Sequence, residues 1–352
     1  MGTQAARFPI GGSGYPSDVR IVITGASGNA GTALLRRLAG RHELVGVSRR
    51  PPPPLAPYDA AEWVSLDVGA ADAGEPLRRA FEGADAVVHL AWAIQPQRRP
   101  DVLHRVNQGG TAAVVDAAIA AGVPHLVHQS SVGAYAPAPG CTVDETRATT
   151  GVPSSLYSVD KAAAERIVDA AEERLLVTRM RPALIFQDAA ASEVARYFLG
   201  PIVPRALVRP ALLRFAPLPD ALTFQVVAAS DVAAAIELVL LQRAAGAFNV
   251  AAAPAIDRDA LRSVFGGVGP PLPPRVLRTA AAAAWRARLV PTEPGWVDLA
   301  AQAPCLDTAR LSSLGWHPQH DARTVLASFA AAIRRGAGHA GPLLYPRSER
   351  TA

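Results

Sequence analysis

Lysine is almost absent from this sequence: Lys161 is the only one, and arginine supplies all other strongly basic side chains. The arginine guanidinium is a planar fork that stays charged, whereas the lysine ammonium is a compact point charge on a flexible stem. Since arginine serves everywhere else, we expect position 161 to have a role that arginine cannot perform.

Cysteine is scarce and long apolar runs are missing. Cys141 and Cys305 form no Cys-x-x-Cys pair, and the histidine spacing offers no zinc pattern, so we expect a reduced compartment and no metal site. No apolar run approaches the thickness of a bilayer. Residues 1–18 are rich in Gly, Ser and Pro without an apolar signal core, which predicts a flexible tail. The protein is therefore predicted to be cytoplasmic, without stable membrane insertion.

Clusters of basic residues are also missing. The net charge of +5 is spread along 352 residues, with no long basic run. This distribution argues against nucleic acid as a partner and is compatible with a small anionic cofactor or substrate.

Short β-branched runs alternate with amphipathic stretches in the first half of the chain. Strands are predicted at 19–24, 43–48, 62–67, 84–90, 125–130 and 175–179, and helices at 32–39, 111–121 and 155–171. Such alternation predicts an α/β fold with a doubly wound parallel sheet.

Gly25, Gly28 and Gly31 lie between the first predicted strand and the first predicted helix. Glycines at this spacing permit a tight turn, close approach of a pyrophosphate and close packing of the helix on the strand. The N–H groups and dipole of the helix would then face the phosphates. The sequence therefore predicts a Rossmann-type dinucleotide site.

The end of the second predicted strand indicates which dinucleotide binds. Arg49 and Arg50 stand there with no carboxylate beside them. Arginine accommodates the 2′-phosphate of NADP, whereas Asp or Glu would bind the ribose of NAD. We expect NADP, with NAD as the alternative. Asp67, at the end of the third strand, suits either a hydrogen bond from adenine or a cap on the next turn.

The pattern changes after Pro182. The stretch 199–219 is too rich in proline for a long helix, whereas 230–250 regains a helix and a strand. We predict a dinucleotide-binding domain at 19–182, to which 222–250 returns. A smaller C-terminal substrate lobe would comprise 183–221 and 251–340.

Tyr157 and Lys161 are four residues apart in a predicted helix, so their side chains project from one face. An ammonium beside a phenol favours the phenolate, and we expect it to lower the pKa of Tyr157. A tyrosine tuned in this way can act as an acid or base.

A series of motifs follows one order along about residues 19 to 330. They are the glycine loop at 24–31, His-Leu-Ala at 89–91, an Asn-x-x-Gly-Thr variant at 107–111, Ser-Ser at 130–131, Tyr-x-x-x-Lys at 157–161, Arg-Pro at 181–182, Asp-Val-Ala at 231–233 and Gly-Trp-x-Pro at 315–318. The chain resembles the extended short-chain dehydrogenase/reductase family, also called the NAD-dependent epimerase/dehydratase family.

The resemblance implies roles for particular residues. Tyr157 would exchange a proton with the substrate oxygen, and Lys161 would tune Tyr157 and bind the nicotinamide ribose. Ser131 would hold the substrate oxygen, with Ser130 as the alternative, and His89 is expected in the core. The expected cofactor-binding residues are Gly25, Ser27, Gly28, Asn29, Gly31, Arg49, Arg50, Asp67, Leu90, Ala91, Asn107 and Lys161.

Three functions are compatible with these residues. The first is an NADP-preferring oxidoreductase that reduces a carbonyl or oxidises an alcohol on a small-molecule substrate. The second is a nucleotide-sugar epimerase or dehydratase that recycles its dinucleotide. Phe186-Gln187-Asp188, where sugar-nucleotide enzymes of the family often carry Tyr-Gly-Pro, argues against it. The third is a redox-inactive dinucleotide sensor. Separately, the stretch 199–219 suits a contact with a membrane surface or a homodimer contact.

Overall fold

A parallel sheet of seven strands forms the centre of the protein. The structure, a computed structural model, describes residues 19–95, 97–199, 218–219, 222–265, 267 and 269–338. The strands in these ranges are β1 (Arg20–Thr24), β2 (Glu43–Ser48), β3 (Glu62–Ser65), β4 (Ala86–His89), β5 (His125–Gln129), β6 (Thr142–Val143), β7 (Leu176–Pro182), β8 (Leu184–Phe186), β9 (Leu218–Pro219), β10 (Val226–Ala228), β11 (Gly246–Val250), β12 (Pro271–Leu272) and β13 (Cys305–Leu306). The seven-stranded sheet has the order β11-β7-β5-β4-β1-β2-β3, so the predicted doubly wound fold is confirmed.

Helices connect these strands. The first six are α1 (Asn29–Leu38), α2 (Gly74–Phe81), α3 (Pro100–His104), α4 (Gly110–Ala120), α5 (Leu156–Asp169) and α6 (Ala191–Leu199). Later helices span Ala229–Gln242, Arg258–Phe265, Pro274–Arg286, Gly295–Gln302, Ala309–Ser313 and Ala322–Arg335. A π-helical turn, Arg105–Gly109, joins α3 to α4. Short 3₁₀ turns lie at Tyr58–Ala60, Val132–Ala134 and Asp188–Ala190.

Both faces of the sheet are covered, which explains why its strands are apolar throughout. Successive side chains of a strand point to opposite faces. Ile21 and Ile23 therefore pack in one cluster with α1 and the helix Ala229–Gln242, whereas Val22 packs in another with α2 and α4.

The strand order reverses beside β1. This strand lies between β2 and β4, and Thr24 at its end pairs with Val47 on one side and His89 on the other. In parallel α/β sheets, ligands bind outside the carboxyl ends of the strands at such a reversal. The loops that follow β1, β4 and β5 therefore frame the expected site.

Short two-stranded pairs lie outside the seven-stranded sheet. β8 pairs with β10, β9 with β12 and β6 with β13, all in parallel. A third apolar cluster, which includes Val226, Ile256 and Leu326, lies here.

Two predicted segments lie outside the described residues: the tail at 1–18 and most of the stretch 199–219. Within the described ranges, no helix combines the length and the apolar character needed to cross a membrane.

Candidate active site

The glycine loop packs tightly against the end of β4. Gly25 has φ +71°, and a Cβ atom there would lie 2.7 Å from the backbone nitrogen of Ala91. A Cβ atom on Gly31 would lie 2.4 Å from the Gly25 oxygen, so only glycine lets α1 approach this turn. Ser27, between these glycines, is buried.

The N-terminus of α1 is open to a ligand. Gly28 is its N-cap residue, and no side chain caps the first turn. The first N–H groups of a helix lack partners within the helix and attract anions. This uncapped turn, on a loop that only glycine fits, suits the pyrophosphate of a dinucleotide. Asn29 is tied elsewhere: its amide donates to the Ile185 oxygen at 3.0 Å, and Gln187 donates to its Oδ1 at 2.8 Å.

Arg49 and Arg50 directly follow β2, and both are exposed. Their backbone oxygens accept hydrogen bonds from Ser65 and Ser48, at 3.3 and 2.9 Å, which fixes the backbone of this turn. In the described residues, no hydrogen bond to either guanidinium is found. Both side chains are exposed at the carboxyl end of β2.

Asp67 serves as a turn cap, one of its two expected roles. Its Oδ1 accepts a hydrogen bond from Gly69 N at 3.0 Å, and its Oδ2 lies 3.4 Å from both terminal nitrogens of Arg105. Both oxygens of the carboxylate are thus already engaged.

Leu90 and Ala91 directly follow β4 and contact Thr24 at the end of β1. Leu90 N donates to the Thr24 oxygen at 3.0 Å, and Ala91 N lies 3.4 Å from Thr24 Oγ1. Asn107 is buried and clamps the next part of the loop, since its side chain accepts from Ala93 N at 2.8 Å and donates to Ala93 O at 3.0 Å. These predicted residues meet at the same edge of the sheet as the glycine loop.

Ser131 and Tyr157 both border Gly133: a Cβ atom added there would lie 3.0 Å from Tyr157 Cε1 and 3.5 Å from Ser131 Oγ. Ser131 precedes the 3₁₀ turn after β5, and its Oγ accepts from Gly133 N at 3.0 Å. A side-chain hydrogen bond with Ser131 lowers the pKa of Tyr157. The neighbouring Ser130 hydroxyl is buried and has no hydrogen-bond partner in the described parts of the chain. Of the two serines, the geometry therefore favours Ser131.

Burial acts on the pKa of Tyr157 in the opposite direction and is the larger effect. The pKa of the phenol is raised, because removal from water disfavours the phenolate. The sequence had suggested that Lys161 lowers this pKa. In the structure, the group that opposes burial is Ser131, since the ammonium is 6.0 Å from the centroid of the Tyr157 ring and is engaged elsewhere.

Lys161 is buried, with 3% of its surface exposed. Its Nζ donates to the Gln129 oxygen at 2.8 Å and lies 3.5 Å from the centroid of the Trp92 ring. Burial lowers the pKa of Lys161 to about 7, although Glu165 and Asp160 raise it in part. The ammonium of Lys161 therefore lies between α5, the end of β5 and the loop after β4.

Two tryptophans that the sequence analysis did not single out flank Tyr157. The ring centroids of Trp296 and Trp92 lie 4.9 and 6.1 Å from that of Tyr157. Trp92 directly follows the motif at the end of β4, and only five tryptophans occur in the chain, so its position could have been noticed. Trp296 comes from the C-terminal lobe, and no local pattern connects it with Tyr157.

The lobe segment that carries Trp296 is tied to the site by side chains. Glu293 Oε1 accepts from Leu156 N at 2.8 Å, at the start of α5, and Glu293 N donates to Gln97 Oε1 at 2.6 Å. Gln95 donates to the Pro291 oxygen at 3.3 Å. The segment 291–296 therefore contacts both α5 and the loop after β4.

Other motifs have structural partners. His89 is buried as expected, lies 2.7 Å from Thr24 Oγ1, and has its pKa lowered by burial to about 3. Arg181 forms a buried ion pair with Glu165, whose carboxylate oxygens accept at 2.8 and 2.7 Å. Trp316 Nε1 donates to the Asp231 oxygen at 3.0 Å, so the two late motifs meet.

Comparison with known proteins identifies the family. The model of the NAD dependent epimerase/dehydratase family matches residues 21–251. The chain belongs to this family. The family match includes the glycine loop, both serines and the Tyr157–Lys161 pair.

Relatives within the family include dehydrogenases and reductases. The chain is 39% identical over 112 residues to L-arabinose 1-dehydrogenase (NAD(P)(+)) of Haloferax volcanii, a match that covers 32% of this chain and 41% of the relative. It is 37% identical over 154 residues to 2′-dehydrokanamycin reductase of Streptomyces kanamyceticus, covering 44% of this chain and 38% of the relative. The matches thus span about two fifths of each of these proteins.

A solved structure supports the fold over almost the whole chain. UDP-glucose 4-epimerase of Thermus thermophilus, in complex with NAD, is 20% identical and superposes with a TM-score of 0.64. The superposition covers 90% of this chain and 99% of that structure. At this identity the likeness describes the fold.

Proposed function

We propose that this protein is an NADP-preferring oxidoreductase that transfers a hydride between the dinucleotide and a carbonyl or alcohol carbon of a small-molecule substrate. The observation that carries the proposal is that Ser131 and Tyr157 both border Gly133, with Lys161 buried one helical turn from Tyr157. A dinucleotide-binding protein without redox chemistry would not need these three groups together.

The glycine loop, Arg49, Arg50 and the loop after β4 would hold the cofactor, which supplies or accepts the hydride when bound. Tyr157 donates its phenolic proton to the substrate oxygen as the carbonyl becomes an alcohol. Ser131 holds the same oxygen through its hydroxyl. Lys161, one helical turn from Tyr157 on the same helix, would bind the nicotinamide ribose.

The raised pKa of Tyr157 suits it to donate a proton. Because burial raises this pKa, the phenol is protonated at neutral pH and is ready to donate. Carbonyl reduction needs this proton, whereas alcohol oxidation would need the phenolate. The relative named as a reductase agrees with this direction.

The preference for NADP is supported by the exposed arginines after β2. Arg49 and Arg50 offer two guanidinium forks next to the carboxyl end of the strand, where a 2′-phosphate would lie. We propose no metal. A cytoplasmic location and a homodimer remain proposals from the sequence.

Binding and turnover test the proposal separately. Binding of NADPH and NADH is measured by fluorescence, and net NADPH consumption is measured with aliphatic ketones and keto-sugars, with L-arabinose and NADP for the reverse direction. Tyr157→Phe should bind NADPH normally and lose on the order of 10²–10⁴-fold in turnover. Ser131→Ala should also lose turnover, and Ser130→Ala serves as its matched control.

Two outcomes would contradict the proposal. If substrate is converted without net consumption of NADPH, the protein is an epimerase or dehydratase that recycles its cofactor. If NADPH binds and Tyr157→Phe keeps the rate of the natural protein, Tyr157 is not the proton donor.

A further inference from the structure

Asp160, which directly precedes Lys161, is a fully buried carboxylate that the proposed reaction does not use. None of its surface is exposed. Its Oδ1 accepts from Gln108 Nε2 at 2.7 Å and lies 2.5 Å from His104 Nδ1, while its Oδ2 accepts from Asn107 Nδ2 at 3.0 Å. A buried carboxylate is costly unless such donors compensate it, so this contact is specifically built.

The three partners come from one irregular turn. His104 ends α3, and Asn107 and Gln108 lie in the π-helical turn that follows. A π-helical turn holds one extra residue, and such turns often occur at functional sites. Here the turn directs all three side chains to a single carboxylate on α5.

Asn107 passes this contact on to the loop after β4. The same amide nitrogen that donates to Asp160 also donates to the Ala93 oxygen, and the amide oxygen accepts from Ala93 N. Both backbone groups of Ala93 are thus held by a side chain that is itself oriented by Asp160.

Trp92, the residue before Ala93, connects this loop back to α5. Its ring lies 3.5 Å from Lys161 Nζ, a distance at which a cation is attracted to the face of an indole. A closed series of contacts therefore runs from Asp160 through Asn107 and Ala93 to Trp92, and returns to α5 at Lys161. We call this series of contacts the circuit.

We propose that Asp160 is a positioning residue, which through Asn107 fixes the loop at Ala93 so that Trp92 stands against the Lys161 ammonium. Resting on the proposed function, this circuit sets where Lys161 and the loop meet the nicotinamide ribose. Asp160 itself touches neither cofactor nor substrate.

The first test uses tryptophan fluorescence without cofactor. In the natural protein, the emission of Trp92 is the spectrum of the natural protein minus that of Trp92→Phe. In the variant, it is the spectrum of Asp160→Asn minus that of the double variant Asp160→Asn/Trp92→Phe. We expect the difference spectrum to shift to longer wavelength with Asp160→Asn, because Trp92 leaves the ammonium and meets water. Asp169→Asn, an exposed carboxylate at the end of the same helix, is the control and should leave the spectrum unchanged.

The second test measures NADPH binding directly. We expect Asp160→Asn to raise Kd by on the order of tenfold, which is about 1.4 kcal/mol. Should Asp160→Asn fail to fold, Gln108→Ala and His104→Ala each remove one donor from a partly exposed position and should shift Trp92 emission in the same direction.

An unchanged Trp92 spectrum in Asp160→Asn, or in both donor variants, overturns the proposal. A change in melting temperature alone would also overturn it, since it would show a purely structural role. If the natural protein binds no NADPH, the proposed function fails, but the fluorescence test of the circuit still stands.

Discussion

Replacing Lys161 with methionine tests how burial acts on its ammonium. The pKa of Lys161 is about 7 in the folded protein, compared with an ordinary value of 10.5. Burial is the main cause, because a charged group loses the solvation of water. The pKa is therefore lowered by about 3.5. At about 1.36 kcal/mol per pKa unit, this corresponds to about 5 kcal/mol by which the folded protein disfavours the charged form of the lysine.

The sign of the pH dependence follows from which state binds the proton. Below pH about 7 the lysine is charged in both states, so the folded protein bears the whole cost of burying the charge. As the pH rises from about 7 toward 10.5, the unfolded chain keeps the proton and the folded protein releases it. The free energy of unfolding therefore rises by up to about 1.4 kcal/mol per pH unit across this window.

Urea unfolding from about pH 6 to about pH 9.5 measures this contribution. Methionine keeps the apolar stem and binds no proton, so the free energy of unfolding of the natural protein should rise with pH relative to that of Lys161→Met. Arg166→Met removes an exposed charge from the same helix and should run parallel to the natural protein. Parallel curves for the natural protein and Lys161→Met would refute the lowered pKa.

Three further predictions concern other parts of the site. Arg49→Ala and Arg50→Ala should weaken NADPH binding by on the order of tenfold or more and leave NADH binding unchanged; an unaltered ratio of the two affinities would exclude a 2′-phosphate contact. Gly31→Ala should destabilise the fold by about 1–3 kcal/mol and abolish dinucleotide binding, since its Cβ has no room. Gly74→Ala, where the added Cβ meets nothing within 4 Å, is the matched control in thermal unfolding. Glu165→Gln leaves its buried arginine partner without a carboxylate and should cost about 3–5 kcal/mol in urea unfolding; a cost below about 1 kcal/mol would show that the pair is solvated.

The sheet was predictable because its strands are buried on both faces. The β-branched run 19–24 and the stretch 43–48 correspond to β1 and β2. Helix α2 was missed. Its exposed face carries Arg78 and Arg79, which both pair with Glu75, so the helix has few apolar positions that a pattern could reveal. Local patterns therefore identified elements whose apolar residues dominate.

The candidate site was predictable where one element carries the signal. Tyr157 and Lys161 share one helix, and Gly25 and Gly31 share one loop. The expected lowering of the pKa of Tyr157 was wrong, because burial raises this pKa. That burial involves Trp296, which is far from Tyr157 in the sequence. The contact of Asp160 with the π-helical turn was missed for the same reason.

The loop at 91–97 joins the two halves of the site. Trp92 stands on the Lys161 ammonium, Gln97 binds the backbone of Glu293 in the lobe, and Glu293 in turn accepts from the first residue of α5. A displacement of the lobe segment must therefore move either this loop or the start of the helix that carries Tyr157. The segment that carries Glu293 and the placement of the lysine are thus mechanically connected, and an arginine at position 161 would have to fit into the same buried space.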